Sequence, residues 1–190
     1  RFTTGYSREA LADDRAPADD FDDSNLPTLF QTELRNVVAR GGVLGGLGGA
    51  MSALAQVMIM GDSGADGNPA KPILRTGLGL LQNAVVEQHF EQRRGRLERF
   101  VDLLRDAESL NQRCSWPASG RNAVGLAADS ETALVVSRNQ VEVVGRGHGH
   151  VFTKSNGERT VSWRRIRESD GICEICPSGV KIRDGIESGD

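Results

Sequence analysis

Three short stretches carry residue types whose spacing bears on covalent catalysis. "GGVLGGLGGAMSALAQ", residues 41–56, orders an apolar segment, a Gly-rich turn and a small-residue helix. That order builds a nucleophile elbow, a sharp strand-to-helix turn that lifts one side chain to the top of an α/β sheet. Ser or Cys is expected at the tip, and the chain has Leu47-Gly48-Gly49 there. In the second stretch, Glu87-Gln88-His89 forms a polar knot directly after an apolar strand. The third, "AADSETA", opens another segment at Ala127. Carboxyl ends of strands in open α/β sheets form the ligand crevice, so all three are expected to converge. A serine hydrolase needs a nucleophile, a His base in hydrogen-bond reach and an acid that orients the His. His89, one of three His in the chain, is the candidate base. Gly48 has no hydroxyl, and Ser52 lies about one helical turn farther on, outside the elbow.

Arg93, Arg94, Arg96 and Arg99 follow at once. On a helix they form either a solvated face or a carboxylate-binding set, since guanidinium forks grip carboxylates in bidentate geometry. His148-Gly149-His150 presents two imidazoles at strand spacing, but no third ligand is in view, so no metal is expected. Cys173 and Cys176 make a single C-x-x-C without a second pair, and no cofactor signature is present. Residues 12–25 hold six Asp among Ala, Pro and Ser, a solvated acidic loop without the Gly and terminal Glu of an EF-hand.

The elements that must position these groups follow from periodicity. Leu29, Leu34, Val37 and Val38 lie on one stripe of a helix ending before Gly41-Gly42. Val43-Leu44 is expected as a short buried strand, and Met51 to Met60 as a buried helix. Residues 62–72 read as a loop. "GLGLLQNAVVEQHF" contains a strand, and "RRGRLERFVDLLRDAESL" is an amphipathic helix with Leu97, Phe100, Val101 and Leu104 on its apolar side. From Val124 onward "VGLAAD", "TALVVS", "QVEVVG", "HVFTK" and "TVSW" are short, β-branched and broken by turn residues. The expected fold is α/β, a mostly parallel sheet flanked by helices with a β-rich C-terminal part. Residues 1–165 are expected as one domain, and 166–190 as a weakly ordered tail.

With 190 residues the chain can bury a real core, and a net charge of −3 gives no electrostatic footprint for nucleic acid. Gly41 to Met60 lacks charge, but its first half is mostly Gly and supplies little transfer energy, so no membrane span is expected. Three Cys are too few and uneven for a disulfide framework, and the compartment stays open between cytoplasm and export. The first residue is Arg, so the chain reads as a fragment or processed product.

In order and spacing these stretches resemble the cyanophycinases, bacterial serine exopeptidases of the dipeptidase E-like group on a class I glutamine amidotransferase-like fold. That family's elbow reads R-G-G-V followed by G-G-T-S-A-G-A, and here "RGGVLGGLGGAMS" spans residues 40–52. Its D-Q-H-F and R-x-R-L-x-R block is matched by "VVEQHFEQRRGRLERF", 85–100. Its G-I-G-I-D-E-x-T-A-L-V-V block is matched by "VGLAADSETALVV", 124–136. The opening "FTTGYSREAL" resembles an altered F-x-G-G-D-Q-x-R-L. The likeness runs from about Phe2 to Val151.

The resemblance implies a flavodoxin-like α/β sheet whose N-terminal strands this chain lacks, and a peptide ligand that is acidic and arginine-bearing. The family cleaves an aspartate–arginine polymer into β-aspartyl-arginine dipeptides. His89 matches the catalytic base, Glu87 and Gln88 match pocket residues, and Arg94, Arg96 and Arg99 match the substrate-binding arginines with one extra residue after His89. Gly48 stands at the nucleophile and Ser130 at the acidic Glu, with Glu87 for Asp and Tyr6-Ser7 for the Asp-Gln pair. Removing a triad nucleophile costs several orders of magnitude in kcat. The implied protein is therefore a peptidase homologue without the family's usual chemistry. The alternatives are a hydrolase using Ser52 or another group with His89, or a non-catalytic binding or assembly protein; among partners, a homodimer is one expectation.

Overall fold

Thr28 opens the first helix with a capping box: its Oγ1 accepts from the Gln31 N–H at 3.2 Å, and the Gln31 side chain accepts from the Thr28 N–H at 2.9 Å. The structure is a computed structural model that describes residues 28–62, 72–91, 95–106, 110, 123–154, 160–175 and 186–189. It divides into two units, residues 1–45 and 46–190. In the first, helix α1 (Leu29–Ala39) ends where Gly41 takes φ +82°. The Gly41 N–H then donates to the Val38 carbonyl and the Gly42 N–H to the Val37 carbonyl, the double bond of a Schellman stop. No α1 residue is fully buried. Residues 42–47 form no strand, and Val43 is 90% exposed. The expected buried strand at Val43-Leu44 is therefore corrected: four Gly within 41–46 give the segment little to pack and little strand preference.

The second unit begins with helix α2 (Gly49–Leu54), which leads directly into strand β1 (Ala55–Asp62). This overturns the expected helix to Met60. Val57 and Ile59 are β-branched, and two neighbouring strands offer ladders that outweigh helix propensity. Strand β2 (Pro72–Thr76) pairs antiparallel with β1, and β3 (Leu81–Gln88) pairs parallel with it. Pro72 sits at the start of its strand, where its missing N–H is tolerated. After α3 (Arg96–Arg105), strand β4 (Ala123–Ala128) lies parallel to β3. The hairpin β5 (Thr132–Ser137) and β6 (Gln140–Gly145) follows, then β7 (Gly149–Lys154), β8 (Val161–Ile166), β9 (Cys173–Glu174) and β10 (Ile186–Gly189).

The result is mixed α/β. A seven-stranded sheet runs β10-β8-β7-β4-β3-β1-β2, and β5-β6-β9 forms a second, antiparallel sheet. The expectation of a mostly parallel sheet is corrected: β1/β3, β3/β4 and β8/β10 are parallel, but β1/β2, β4/β7 and β7/β8 are antiparallel. Parallel neighbours need a crossover of a dozen or more residues, which α3 supplies between β3 and β4. Only residues 155–160 separate β7 from β8, enough for an antiparallel return. Residues 166–190, expected as a weakly ordered tail, contribute a 3-10 turn at Glu168–Asp170 and strands β9 and β10.

Both faces of the large sheet are covered. On one, Phe100, Val101, Leu103 and Leu104 of α3 pack with Val57, Val85, Phe152 and Val161. On the other, Ala84, Val86, Leu126, Val151 and Ile166 meet Val141 and Val143 from β6. Val85 faces one core while Ala84 and Val86 face the other, the two-residue alternation of a strand. Gly125 at the centre of β4 permits the approach of α3, since a Cβ there would lie 2.5 Å from the Phe100 ring. Among the described residues no helix is long and apolar enough to cross a membrane. The charge-free stretch 41–60 is instead split between a loop, α2 and β1.

Candidate functional site

Because β3 and β4 are parallel, with Gln88 opposite Ala128, their carboxyl ends lie at the same edge of the sheet. His89 and Ser130 follow just beyond those ends. His89 leaves β3 with φ +51°, and Glu131 takes φ +57° beside Ser130. A non-Gly residue at positive φ holds on the order of 1–3 kcal/mol of backbone strain, which clusters at functional sites. The His89 Nδ1 and the Ser130 Oγ stand 2.9 Å apart, a hydrogen bond. The third element is α2. Ala55 at its end pairs with Leu81 at the start of β3, so α2 crosses back from the carboxyl end of that strand. Its N-cap is Gly48, at φ +59° and ψ −134°. Glycine adopts that backbone without strain, and it turns the chain sharply into α2, while residues 42–47 form no strand before it.

A Cβ placed on Gly48 would meet one atom within 4 Å, the Gln88 Oε1 at 3.4 Å. That oxygen is buried and accepts no hydrogen bond among the described residues. Gly48 therefore borders the Gln88 side chain, and His89 with its partner Ser130 follows Gln88 directly in the chain. Ser52 is 3% exposed, and its Oγ accepts from the Ile59 N–H at 2.7 Å, tying α2 to β1.

Glu87 ends β3 buried at 5% exposure. The Arg96 Nη1 donates to its Oε1 at 2.7 Å, and the Arg99 Nη2 to its Oε2 at 2.6 Å. Arg96 also donates to the Gln88 carbonyl. Two of the three arginines assigned to substrate are thus joined to Glu87 and clamp the end of β3 onto the first turn of α3. Arg94 lies outside the described residues, as do Arg93, the acidic loop, Tyr6-Ser7, Cys114 and Cys176.

Asp129, between β4 and Ser130, organises the other side of the edge. Its Oδ1 accepts from the Glu91 N–H and from the His150 Nε2, each at 3.1 Å. Its Oδ2 accepts from the His148 N–H at 3.1 Å and lies 3.4 Å from the His148 Nδ1. The His150 Nδ1 accepts from the Trp163 Nε1 at 3.3 Å, so its proton sits on Nε2. Burial lowers the His150 pKa below the usual value, against the opposing pull of Asp129. His148 and His150 therefore do not act as a pair of ligands on one strand face. His150 is fully buried, and its ring stands 6.5 Å from that of His148.

No protein-family model matches this chain, and no curated protein matches it. The site therefore rests on its own geometry. Glu87, Gln88, His89, Ser130, Arg96, Arg99 and the Gly48 turn are brought to one sheet edge. Asp129, Glu91 and Trp163 were missed as site residues. Asp129 carried the same signal as His89, a polar group directly after an apolar strand.

Proposed function

We propose that this chain is a cyanophycinase-like serine peptidase homologue that binds an acidic, arginine-bearing peptide and does not cleave it. In this reading the parallel trio β1, β3 and β4 is the centre of a divergent class I glutamine amidotransferase-like sheet, with antiparallel strands added at its sides. The observation that carries the reading is the His89 Nδ1 to Ser130 Oγ hydrogen bond at 2.9 Å. Ser130 stands at the acid position of the triad and touches the nitrogen an acid would orient. The Gly48 turn is the second support, since its backbone matches the demand of an elbow tip while its side chain is absent. A hydroxyl both donates and accepts, so Ser130 holds the ring in place without fixing its tautomer. With no nucleophile and no acid, two of three triad roles are empty.

The test is incubation with an aspartate–arginine polymer, with dipeptide release followed by mass spectrometry and binding by calorimetry. The unmodified chain is expected to bind polymer and to release no dipeptide above background. Gly48→Ser is expected to gain weak release, and Gly48→Ser with Ser130→Glu to gain more, since loss of the orienting acid costs on the order of 10⁴ in known triads. Release by the unmodified chain that Ser52→Ala abolishes would overturn the reading in favour of a displaced nucleophile. Absence of both binding and restored release would overturn the family assignment.

A further inference from the structure

We propose that Glu91, Asp129 and His148 form a binding site for a divalent first-row transition ion, beside the His89–Ser130 pair and independent of the peptidase reading. One ligand atom from each of the three lies within 4.8 Å of the others. One imidazole and two carboxylates make a nitrogen–oxygen donor set suited to zinc, cobalt or manganese, with further positions left to water. The His148 Nδ1 and Asp129 Oδ2 are 3.4 Å apart. That is longer than the usual 2.7–3.2 Å of an N–H···O bond. It matches the separation of two donors on a shared tetrahedral ion, about 3.3–3.5 Å from metal–ligand bonds of roughly 2.0–2.2 Å.

The buried side of the cluster is built to hold a carboxylate ligand. Trp163 donates to His150, and His150 donates to the Asp129 Oδ1. The Glu91 N–H donates to the same oxygen, so Oδ1 is fully engaged, while Oδ2 accepts one bond from the His148 N–H and also faces the His148 Nδ1. Ligating carboxylates are characteristically fixed by such outer hydrogen bonds. The Asp129 side chain is 9% exposed, whereas that of His148 is 27% exposed and Glu91 is at the surface, so an ion has a route in. Glu91 also pairs with Arg165 at 3.3 Å, both about half exposed, an ion pair that an arriving cation must displace.

The test uses the full chain with cobalt(II), whose visible spectrum reports the donor set. Binding of one ion per chain is expected, with nitrogen–oxygen ligand-field bands and no thiolate charge-transfer band, despite Cys173. His148→Ala and Glu91→Gln are each expected to weaken binding by at least tenfold, and both positions are open enough for the variants to keep the wild-type circular dichroism. Trp163→Phe is expected to weaken binding while leaving the bands unchanged in kind. A thiolate spectrum lost in Cys173→Ser, or cobalt affinity unmoved by His148→Ala, would overturn the site. So would the absence of saturable binding. Each readout is a binding event, so it succeeds or fails separately from polymer cleavage.

Discussion

Gly48 is the residue on which the proposed peptidase reading turns, and its backbone is as informative as its lack of a side chain. A side chain at φ +59° is strained whatever the space around it, and evolution commonly relieves such strain with glycine. Space is not the obstacle, because the Gln88 Oε1 at 3.4 Å is in ordinary van der Waals contact with an added Cβ. Gly48→Ser is therefore expected to fold and to lose about 1–3 kcal/mol, read as a lower urea midpoint with an unchanged slope. An unchanged or higher midpoint would mean that the turn relaxes out of its elbow conformation. The Gln88 oxygen adds a chemical point, since a serine hydroxyl at 48 would bring a donor toward a buried acceptor that has none among the described residues.

At the scale of elements, the arginines show how one motif supports two readings that only geometry separates. Arg96 and Arg99 sit one turn apart on α3, and both reach the buried Glu87 at the end of β3. Removing one partner of a buried ion pair leaves an uncompensated charge and costs about 3–5 kcal/mol. Glu87→Gln is expected to lose stability on that order, whereas Arg105→Ala, whose exposed partner Asp102 is 3.5 Å away, is expected to stay within about 0.5 kcal/mol. Equal effects in chemical denaturation would remove the clamp as a structural device. The strands were the most legible elements: β5 and β6 fall where "TALVVS" and "QVEVVG" lie, because alternation and turn residues fix them locally. Strand β1 is not legible as a strand because "MSALAQVMIM" is apolar on most faces of a helix, and periodicity cannot choose between helix and strand in such a run. The partners that decide it, β2 and β3, come later in the chain. In the site, His89 was legible from its place after an apolar strand. The Asp129–His150–Trp163 chain was not, because it is joined only by antiparallel pairing of β7 with β4 and β8.

At the scale of residues 46–190, one sheet carries two cores, one on each face, and the site sits at the ends of β3 and β4. The α3 face is aromatic, with Phe90, Phe100 and Phe152 in edge-to-face contact at centroid distances of 5.0–5.9 Å. The opposite face is aliphatic, and the β5-β6-β9 sheet contributes the fully buried Val141 and Val143 to it. Strands β3, β4 and β7 supply side chains to both cores, so neither can be lost without disturbing the register that aligns His89 with Ser130. This predicts a single cooperative unfolding transition rather than two. Phe100→Ala should cost about 3–5 kcal/mol by opening a cavity in the aromatic core. Val143→Ala removes two methyl groups from the other core and should cost about 2 kcal/mol. The two positions lie in different cores, so the double variant should lose the sum to within about 0.5 kcal/mol. In every variant the transitions by far-UV circular dichroism and tryptophan fluorescence should coincide. If Val143→Ala separates the two probes while Phe100→Ala does not, the small sheet unfolds on its own. The strand ends would then keep their alignment without it, and the site would depend on the aromatic core alone.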